Sequence, residues 1–343
     1  MLRLKGVIQH YAWGDRFALP ELLDVTADGR PWAELWFGTH PRGAAQIDDE
    51  LHRPAPSYLA DEVGELPFIV KLLAAARPLS LQTHPSAAQA QAGFAREEAA
   101  RIPLDAPHRV FADTQAKPEM VIALDEFAAL CGFVTDDVAI QRCTEAGASD
   151  LAAHVQQHGV GATARAVLSG AKFASPANPS AAMQQITEHY DDPRALVALL
   201  MHHVKLTPGE ALYLDAGTVH AYLYGTALEV QGRSDNVLRA AFTEKHVDLE
   251  QFFAVASLEP TAEQRVATEQ ISAVTTAYRC AAPFRVMRHE INGTFSLAAN
   301  TQHTLLVCTS GSAGSLTRGA AAYLAAGESI ALTGAATVYT VSA

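Results

Sequence analysis

Apolar and polar residues alternate along the segment 79–84, which ends at Pro85. Because successive side chains of a strand point to opposite faces, this alternation predicts a β-strand with one apolar face. The other face carries Ser80, Gln82 and His84. An imidazole and an amide carbonyl side by side can bind a metal ion, although the polar outer face of an ordinary strand shows the same pattern.

Short apolar runs punctuated by glycine and proline predict further strands through most of the chain. Such runs lie at 34–40, 66–73 and 206–230, and the part from 261 to 343 is rich in strand-forming and small residues. A short helix is expected over 87–101, where the chain follows a proline and a serine.

The segment 134–203 has a different pattern, because its apolar residues recur at helical spacing. Helices are predicted around 138–143, 151–157, 181–189 and 195–203. We therefore expect a helical insert between two strand-rich parts of the chain.

A short internal repeat links the two strand-rich parts. The residues from Gly209 to His220 match those that begin at Gly327. In this register His220 falls on Val338, so that two copies of one β unit are predicted and only the first carries a ligand-type residue.

Composition narrows the classes of protein to consider. The chain has 343 residues, 49% of them hydrophobic, and a formal net charge of −12, as expected of an ordinary globular protein with two or three domains. No basic stripe suits nucleic acid and no apolar run suits a membrane. The beginning of the chain lacks a secretory pattern, and the four widely spaced cysteines are expected to be buried thiols of a cytoplasmic protein.

Two motifs place ionisable side chains on one face of a predicted strand. Lys117 and Glu119 are two residues apart and would share a face, as a site pair or as a solvated surface pair. His220 and Tyr222 share a face in the same way, although a lone strand histidine is often structural.

Three other charged residues stand in apolar or loop contexts. Glu229 faces away from its apolar neighbours, and Lys71 interrupts an apolar strand, where it either reaches water or faces a pocket. Arg239 belongs to the polar loop 234–240 and suits capture of a phosphate or an oxyanion.

Gln82, His84, Glu119 and His220 together offer two nitrogen and two oxygen ligands. This set suits Zn²⁺, with open positions for water or substrate. Two histidines and a carboxylate also suit iron or manganese, so the ligand types alone leave the metal open.

Six motifs occur in one order along the chain: Tyr11-Ala12-Trp13-Gly14, the segment 34–41, Leu81-Gln82-Thr83-His84-Pro85, Lys117-Pro118-Glu119-Met120, the segment 217–222 and the segment 234–240. In combination they resemble the type I mannose-6-phosphate isomerases, metal-dependent members of the cupin superfamily. The resemblance covers about residues 8–255, and the part from 261 onward is similar only in texture.

The resemblance implies a role for each candidate residue. One Zn²⁺ per chain would be held by Gln82, His84, Glu119 and His220. The implied catalytic residues are Arg239, Lys117 and Glu229, with the proton-transfer base left open between Lys117 and Glu229. The implied substrate-binding residues are Ser80, beside the phosphate, and Lys71, Tyr222, Asp235 and Lys245.

The resemblance also implies a mainly β fold with a helical insert. Its parts would be a catalytic cupin-type (jelly-roll) domain of residues 1–133 and 204–260, an α-helical subdomain of residues 134–203, and a metal-free cupin-like domain of residues 261–343.

The implied reaction interconverts mannose 6-phosphate and fructose 6-phosphate through a cis-enediol. The implied setting is cytoplasmic carbohydrate metabolism, in the biosynthesis of GDP-mannose. The protein would be a monomer whose partner is a sugar phosphate rather than nucleic acid or a membrane.

The alternatives are a sugar-phosphate sensor without turnover, a metal-dependent cupin of other activity such as an oxygenase, and an isomerase of unphosphorylated mannose. An acid–base pair beside the metal set argues against a sensor, because binding alone does not need one.

Overall fold

The computed structural model describes residues 1–48 and 57–343, which form two antiparallel sheets and a group of helices. The strands before the helical segment are β1 (Leu2–Lys5), β2 (Val7–Gln9), β3 (Glu34–Phe37), β4 (Gln46–Ile47), β5 (Phe68–Ala75), β6 (Leu81–Thr83), β7 (Glu119–Ala123) and β8 (Phe127–Phe133). The strands after it are β9 (Met201–Leu206), β10 (Ala211–Leu214), β11 (His220–Gly232), β12 (Leu238–Ala241), β13 (Ala267–Ser272), β14 (Thr275–Arg279), β15 (Arg285–Leu297), β16 (Thr304–Ala313), β17 (Leu316–Thr317), β18 (Ala321–Leu324) and β19 (Ile330–Ser342).

The helices are fewer than the strands. They are α1 (Ala18–Leu22), α2 (Leu59–Val63), α3 (Ala87–Ala99), α4 (Asp136–Glu145), α5 (Ser149–Leu168), α6 (Ala181–Thr187) and α7 (Leu249–Val255), together with a 3₁₀ helix at Pro193–Leu199. The prediction of a mainly β fold with a helical insert is confirmed.

Strand β11 holds the first sheet together because its two halves pair with different neighbours. Its first half pairs with β6 and β8, and its second half pairs with β5 and β7. The change occurs at Gly225, whose φ is +111° and where a Cβ would lie 2.4 Å from the Glu126 carbonyl oxygen. Only glycine fits this bend, which brings polar side chains from both halves of β11 to one region.

The second sheet has the strand order β13-β14-β15-β19-β16-β18-β1-β4, with β17 on β16. The N-terminal strands β1 and β4 therefore extend this sheet at its edge beyond β18, which no local sequence pattern indicated. The two sheets share one apolar core, in which Leu35, Val70 and Val230 belong to the same cluster as Leu305 and Tyr339. The division into domains at residues 133, 203 and 260 stays a prediction.

The helical segment lies between β8 and β9 and differs from its prediction at one end. The helix predicted over 195–203 is wrong in its second half, because the 3₁₀ helix ends at Leu199 and β9 begins at Met201. Pairing of this backbone with β8 decides the outcome, as shown by the Leu130–His203 register. Tertiary pairing thus overrides a helical spacing.

The internal repeat is confirmed at its turn and diverges beyond it. Gly209 and Gly327 both have positive φ, and the side chains of Glu210 and Glu328 each accept a backbone N–H three residues earlier. The first copy then turns again at Gly217 before His220, whereas the second copy continues as the unbroken strand β19.

The four cysteines are free, and three of them are buried; Cys280 is half-buried. Over the described ranges 1–48 and 57–343, the helices are all too short or too polar to cross a membrane.

A buried histidine of the second sheet makes one prediction about stability. The two ring nitrogens of His289 lie 3.0 Å from the hydroxyls of Thr275 and Thr340, and burial lowers the pKa of His289 to about 4. The unfolded chain binds this proton near pH 6.5, so the stability contributed by neutral His289 is lost as the pH falls from 6.5 toward 4. Between pH 7.5 and pH 5 the wild type should lose about 2 kcal/mol more unfolding free energy than His289→Asn. Denaturant titrations of both proteins check this, and equal losses would contradict it.

Candidate active site

Three buried side chains of the first sheet converge on one point. The Nε2 atoms of His84 and His220 each lie 3.3 Å from Oε2 of Glu119, and all three residues are about 1% exposed. They form a group whose ligand atoms lie within 4.8 Å of one another. His84, which was predicted on the polar strand face, therefore joins Glu119 and His220 from other strands in a cluster of residue types that bind metals.

The pairing of the strands brings these residues together. His220 at the start of β11 is directly opposite Gln82 of β6, and Gln82 is in turn opposite Arg239 of β12. Glu119 begins β7 and lies opposite Gln231 of β11. The four predicted metal ligands thus come from three strands and the residue after β6, although they span 139 positions of sequence from 82 to 220.

Backbone carbonyls fix the orientation of both imidazoles. Nδ1 of His84 lies 2.7 Å from the carbonyl of Asn236, and Nδ1 of His220 lies 3.0 Å from the carbonyl of Thr218. Each Nδ1 is thereby assigned the proton, because a carbonyl oxygen can only accept. The lone pair of each Nε2 then points at Glu119, as in histidines that bind metals.

The charge states of the cluster fit a divalent cation. Burial lowers the pKa of His84 to about 4, so that its imidazole is neutral near pH 7. Burial would raise the pKa of Glu119, but the Lys117 ammonium outweighs burial and holds the pKa of this carboxyl well below its usual range. Neutral imidazoles and an ionised carboxylate are the forms that bind zinc.

Unsatisfied atoms in the cluster also indicate a missing partner. Nε2 of His84 and Oε2 of Glu119 are buried and have no hydrogen-bond partner within the described residues. Both atoms are acceptors, and two acceptors that face each other at 3.3 Å in a buried site are unfavourable. A cation between them would satisfy both, so the residues present fit a zinc ion.

Gln82 lies at the edge of this cluster. Its Nε2 is 3.3 Å from Nε2 of His220, and its Oε1 accepts from the Ser80 hydroxyl at 3.0 Å. The two ends of an amide exchange places when the group turns by 180°. Binding of a metal by Gln82 requires that turn, which would bring Oε1 toward the histidines.

A buried network of charged groups lies beside the cluster. Nζ of Lys71 is 3.0 Å from Glu229 and 3.3 Å from Glu34, and the Glu229 carboxylate also accepts from the Tyr222 hydroxyl at 2.9 Å. Burial would lower the pKa of Lys71, but the two carboxylates outweigh burial and raise it. Burial raises the pKa of Glu229 despite the nearby ammonium. Of the two interpretations of Lys71, the inward-facing one is confirmed.

A cavity of about 320 Å³ opens next to the cluster and the network. The sequence-predicted residues that line it are Lys71, Ser80, Gln82, Lys117, Asp235, Arg239 and Lys245. His84, Glu119 and His220 lie behind Gln82 and Lys117; Nζ of Lys117 is 2.8 Å from Oε1 of Glu119. Glu229 and Tyr222 lie deeper in the wall and do not line the cavity.

The cations of the cavity differ in whether a carboxylate compensates them. Lys71 and Lys117 have buried carboxylate partners. Arg239 and Lys245 form no ion pair with the residues that the structure describes; burial lowers the pKa of Arg239, and burial and then the nearby Arg239 lower that of Lys245. The part of the cavity that Arg239 and Lys245 line therefore holds uncompensated positive charge.

Sequence reasoning missed several residues of the site. The Glu34 carboxylate pairs with Lys71 and accepts a hydrogen bond from the Trp36 indole. The ring centroid of Tyr11 lies 5.4 Å from Nζ of Lys245. Nη1 of Arg42 lies 3.2 Å from Oδ2 of Asp235. Glu34 was open to prediction, because in a strand it shares a face with Trp36, two residues later, which places a carboxylate beside a large aromatic side chain. The partners of Tyr11 and Arg42 depend on tertiary packing and had no local signal.

Comparison with known proteins agrees with this geometry. Residues 1–135 match the family model described as phosphomannose isomerase type I, catalytic domain. The chain is 38% identical over 296 residues to the mannose-6-phosphate isomerase of Salmonella typhimurium, covering 76% of this chain and 75% of that protein. The mannose-6-phosphate isomerase of Escherichia coli strain K12 is 35% identical over 307 residues, covering 79% and 78% of the two chains.

Solved structures give the same result for the whole chain. A mannose 6-phosphate isomerase bound with zinc and yttrium has a TM-score of 0.88 and 30% identity, covering 100% of this chain and 99% of that chain. A zinc-bound mannose 6-phosphate isomerase has a TM-score of 0.87 and 30% identity, covering 99% and 98%. The predicted family is confirmed, and this chain belongs to the type I phosphomannose isomerases.

Proposed function

We propose that this chain is a zinc-dependent aldose–ketose isomerase that interconverts mannose 6-phosphate and fructose 6-phosphate through a cis-enediol. One observation carries the proposal: a single cavity, lined by Gln82 and Lys117 next to the cluster of unsatisfied metal-ligand atoms, also holds uncompensated positive charge. A sugar phosphate complements both parts of this site. Its reacting carbonyl and hydroxyl oxygens on C1 and C2 suit the metal cluster, and its phosphate dianion on C6 suits the positive charge.

His84, Glu119, His220 and Gln82 would hold the metal. Bound there, zinc supplies a Lewis acid that polarises the oxygens of the substrate. The Asn236 and Thr218 carbonyls keep both imidazoles in the required orientation, and a turn of the Gln82 amide completes the set.

The same turn would prepare Ser80 to bind the substrate. In the structure the Ser80 hydroxyl donates to Oε1 of Gln82. After the turn, the Gln82 amide nitrogen would donate to Ser80 instead, and the hydroxyl proton of Ser80 would be free for a phosphate oxygen. We assign the phosphate to Ser80 and Lys245, and we assign a sugar hydroxyl to Asp235, which His40 and Arg42 hold at the cavity wall.

Proton transfer between C2 and C1 requires a group that reaches the sugar. Lys117 lines the cavity, whereas the Glu229 carboxylate lies deeper and is engaged by Lys71 and Tyr222. We therefore assign proton transfer to Lys117, whose neutral amine would take the proton from C2 and, as the ammonium so formed, return it to C1. To Glu229 and Tyr222 we assign the task of holding Lys71 in place. Arg239 would stabilise the negative charge that develops on the enediolate oxygen.

The physiological setting belongs to the same proposal. The free cysteines suit an enzyme of the reducing cytoplasm, where we propose that it works as a monomer and contributes to GDP-mannose biosynthesis. Sedimentation at working concentration tests the monomer; a stable dimer would contradict that part alone.

Isomerisation in D₂O tests the proposed reaction. Through a cis-enediol, fructose 6-phosphate formed from mannose 6-phosphate should gain deuterium at C1 when the transferred proton exchanges with solvent, and nuclear magnetic resonance detects it. Unphosphorylated mannose should react far more slowly. Binding of mannose 6-phosphate without any product would favour the sensor, and equal rates for both sugars would favour the isomerase of unphosphorylated mannose.

Variants of the two acid–base candidates make a separate prediction. Lys117→Gln should lower kcat by about 10²–10⁴, the usual contribution of a general acid–base group, while zinc content stays at one per chain. Glu229→Gln, which retains the shape of the side chain, should still support deuterium incorporation. If the exchange is lost in Glu229→Gln and kept in Lys117→Gln, Glu229 is the base and the assignment is wrong.

A further inference from the structure

Arg77 is a cation of the cavity that has no carboxylate partner among the residues that the structure describes. Its guanidinium lines the cavity, and its Nε is buried without a hydrogen-bond partner in the part of the chain that the structure describes. Arg77 also forms no ion pair with the described carboxylates, although Glu244 lines the same cavity. A guanidinium at a cavity wall that no carboxylate neutralises can bind an anionic ligand instead.

The backbone on either side of Arg77 is held in place. The N–H of Ala76 donates to the Trp13 carbonyl at 3.0 Å, and the N–H of Leu79 donates to the Tyr222 carbonyl at 2.8 Å. Tyr190 follows helix α6, and its hydroxyl donates to the Pro78 carbonyl at 2.8 Å. Three separate parts of the chain thus fix the segment that presents Arg77, so binding a ligand there requires little ordering of the backbone.

Arg77 adds to the positive charge already present in the cavity. Together with Arg239 and Lys245 it makes three cations without a carboxylate partner among described residues, in a chain whose net charge is −12. Uncompensated cations in one cavity of an acidic protein favour a polyanionic ligand. The planar guanidinium in particular can bind two phosphate oxygens at once.

The order along the chain assigns Arg77 to one end of the substrate. Gln82 adjoins the metal-ligand cluster, Ser80 comes two residues earlier, and Arg77 three residues before that. If the reacting end of the sugar lies at Gln82, the phosphate lies toward Ser80 and Arg77.

We propose that Arg77 binds the substrate phosphate and so makes the enzyme select phosphorylated over unphosphorylated sugar. This inference rests on the proposed function for its substrate, but its chemistry, the binding of a phosphate dianion, can be measured without turnover. Arg77 acts on binding rather than on the reacting carbons, so its loss should raise KM and leave kcat nearly unchanged.

Inorganic phosphate is the probe that tests this assignment. In Arg77→Gln the dissociation constant of inorganic phosphate, measured by calorimetry on the zinc-loaded protein, should rise about tenfold or more, as should KM for mannose 6-phosphate, with kcat within about threefold. Arg77→Lys should recover part of the phosphate affinity. Arg285→Gln, which removes an exposed arginine of β15, is the matched charge control and should behave as wild type.

The outcomes separate this inference from the proposed function. Unchanged phosphate binding and KM in Arg77→Gln would overturn the role of Arg77. Loss of zinc or of the thermal transition in both Arg77 variants would also overturn it, because Arg77 would then be structural. If the wild type fails to turn over mannose 6-phosphate, the proposed function is wrong, and the phosphate titrations still decide whether Arg77 binds the anion.

Discussion

His220→Ala should lose both bound zinc and isomerase activity. The imidazole of His220 is buried, its proton is directed to the Thr218 carbonyl, and its lone pair faces Glu119 at 3.3 Å. Even the loss of a residue that merely orients a metal ligand lowers metal affinity by 10–100-fold, so the loss of a ligand should cost more than about 100-fold. Without the metal, the substrate carbonyl is no longer polarised and the rate should fall with the zinc content.

Two measurements on one preparation check this result. Elemental analysis gives zinc per chain after dialysis, and a coupled assay gives the rate. His158→Ala removes an exposed histidine of α5 and serves as the control, with zinc content and rate both unchanged. A His220→Ala protein that retains one zinc per chain would exclude His220 as a ligand.

Arg239→Ala should keep the zinc and lose the rate. Arg239 on β12 is paired with Gln82 on β6 and lines the cavity, and within residues 1–48 and 57–343 its guanidinium donates only to the Val237 carbonyl, at 3.4 Å. It is therefore free to stabilise charge on the substrate. Removing one donor that stabilises an oxyanion typically costs 10²–10³ in kcat, and we expect about that loss here.

Zinc content separates this effect from a failure of the site to assemble. Arg239→Ala should bind one zinc and show a wild-type thermal transition, and Arg239→Lys should recover part of the rate. Because Arg77 is assigned to binding, Arg77→Gln should raise KM where Arg239→Ala lowers kcat. Full activity of Arg239→Ala would remove Arg239 from the mechanism.

The cluster of His84, Glu119 and His220 was predictable because each of its residues lies in a segment with a clear local pattern. Strand alternation put Gln82 and His84 on one face. The same rule put Lys117 and Glu119 on one face, and in the structure Nζ of Lys117 lies 2.8 Å from Oε1 of Glu119. The alternation of His220 with its neighbours was equally local. Periodicity is a property of a few residues, so sequence reasoning recovers it.

Other features depend on which strands are neighbours, and a single sequence does not contain that information. Glu34 meets Lys71 because β3 pairs with β5, and β1 joins the second sheet by pairing with β18. Lys71 was ambiguous for the same reason, since only its two carboxylate partners make an inward position favourable. The unpartnered Nε of Arg77 likewise becomes visible only once the surrounding side chains are placed.

The dependence of turnover on zinc tests the central claim most directly. The protein is stripped with a chelator, and fructose 6-phosphate formed from mannose 6-phosphate is measured by a coupled assay before and after zinc is returned. We predict no turnover by the stripped protein and full recovery at one zinc per chain. Undiminished turnover without metal, or no turnover with one zinc bound, would contradict a zinc-dependent mannose-6-phosphate isomerase.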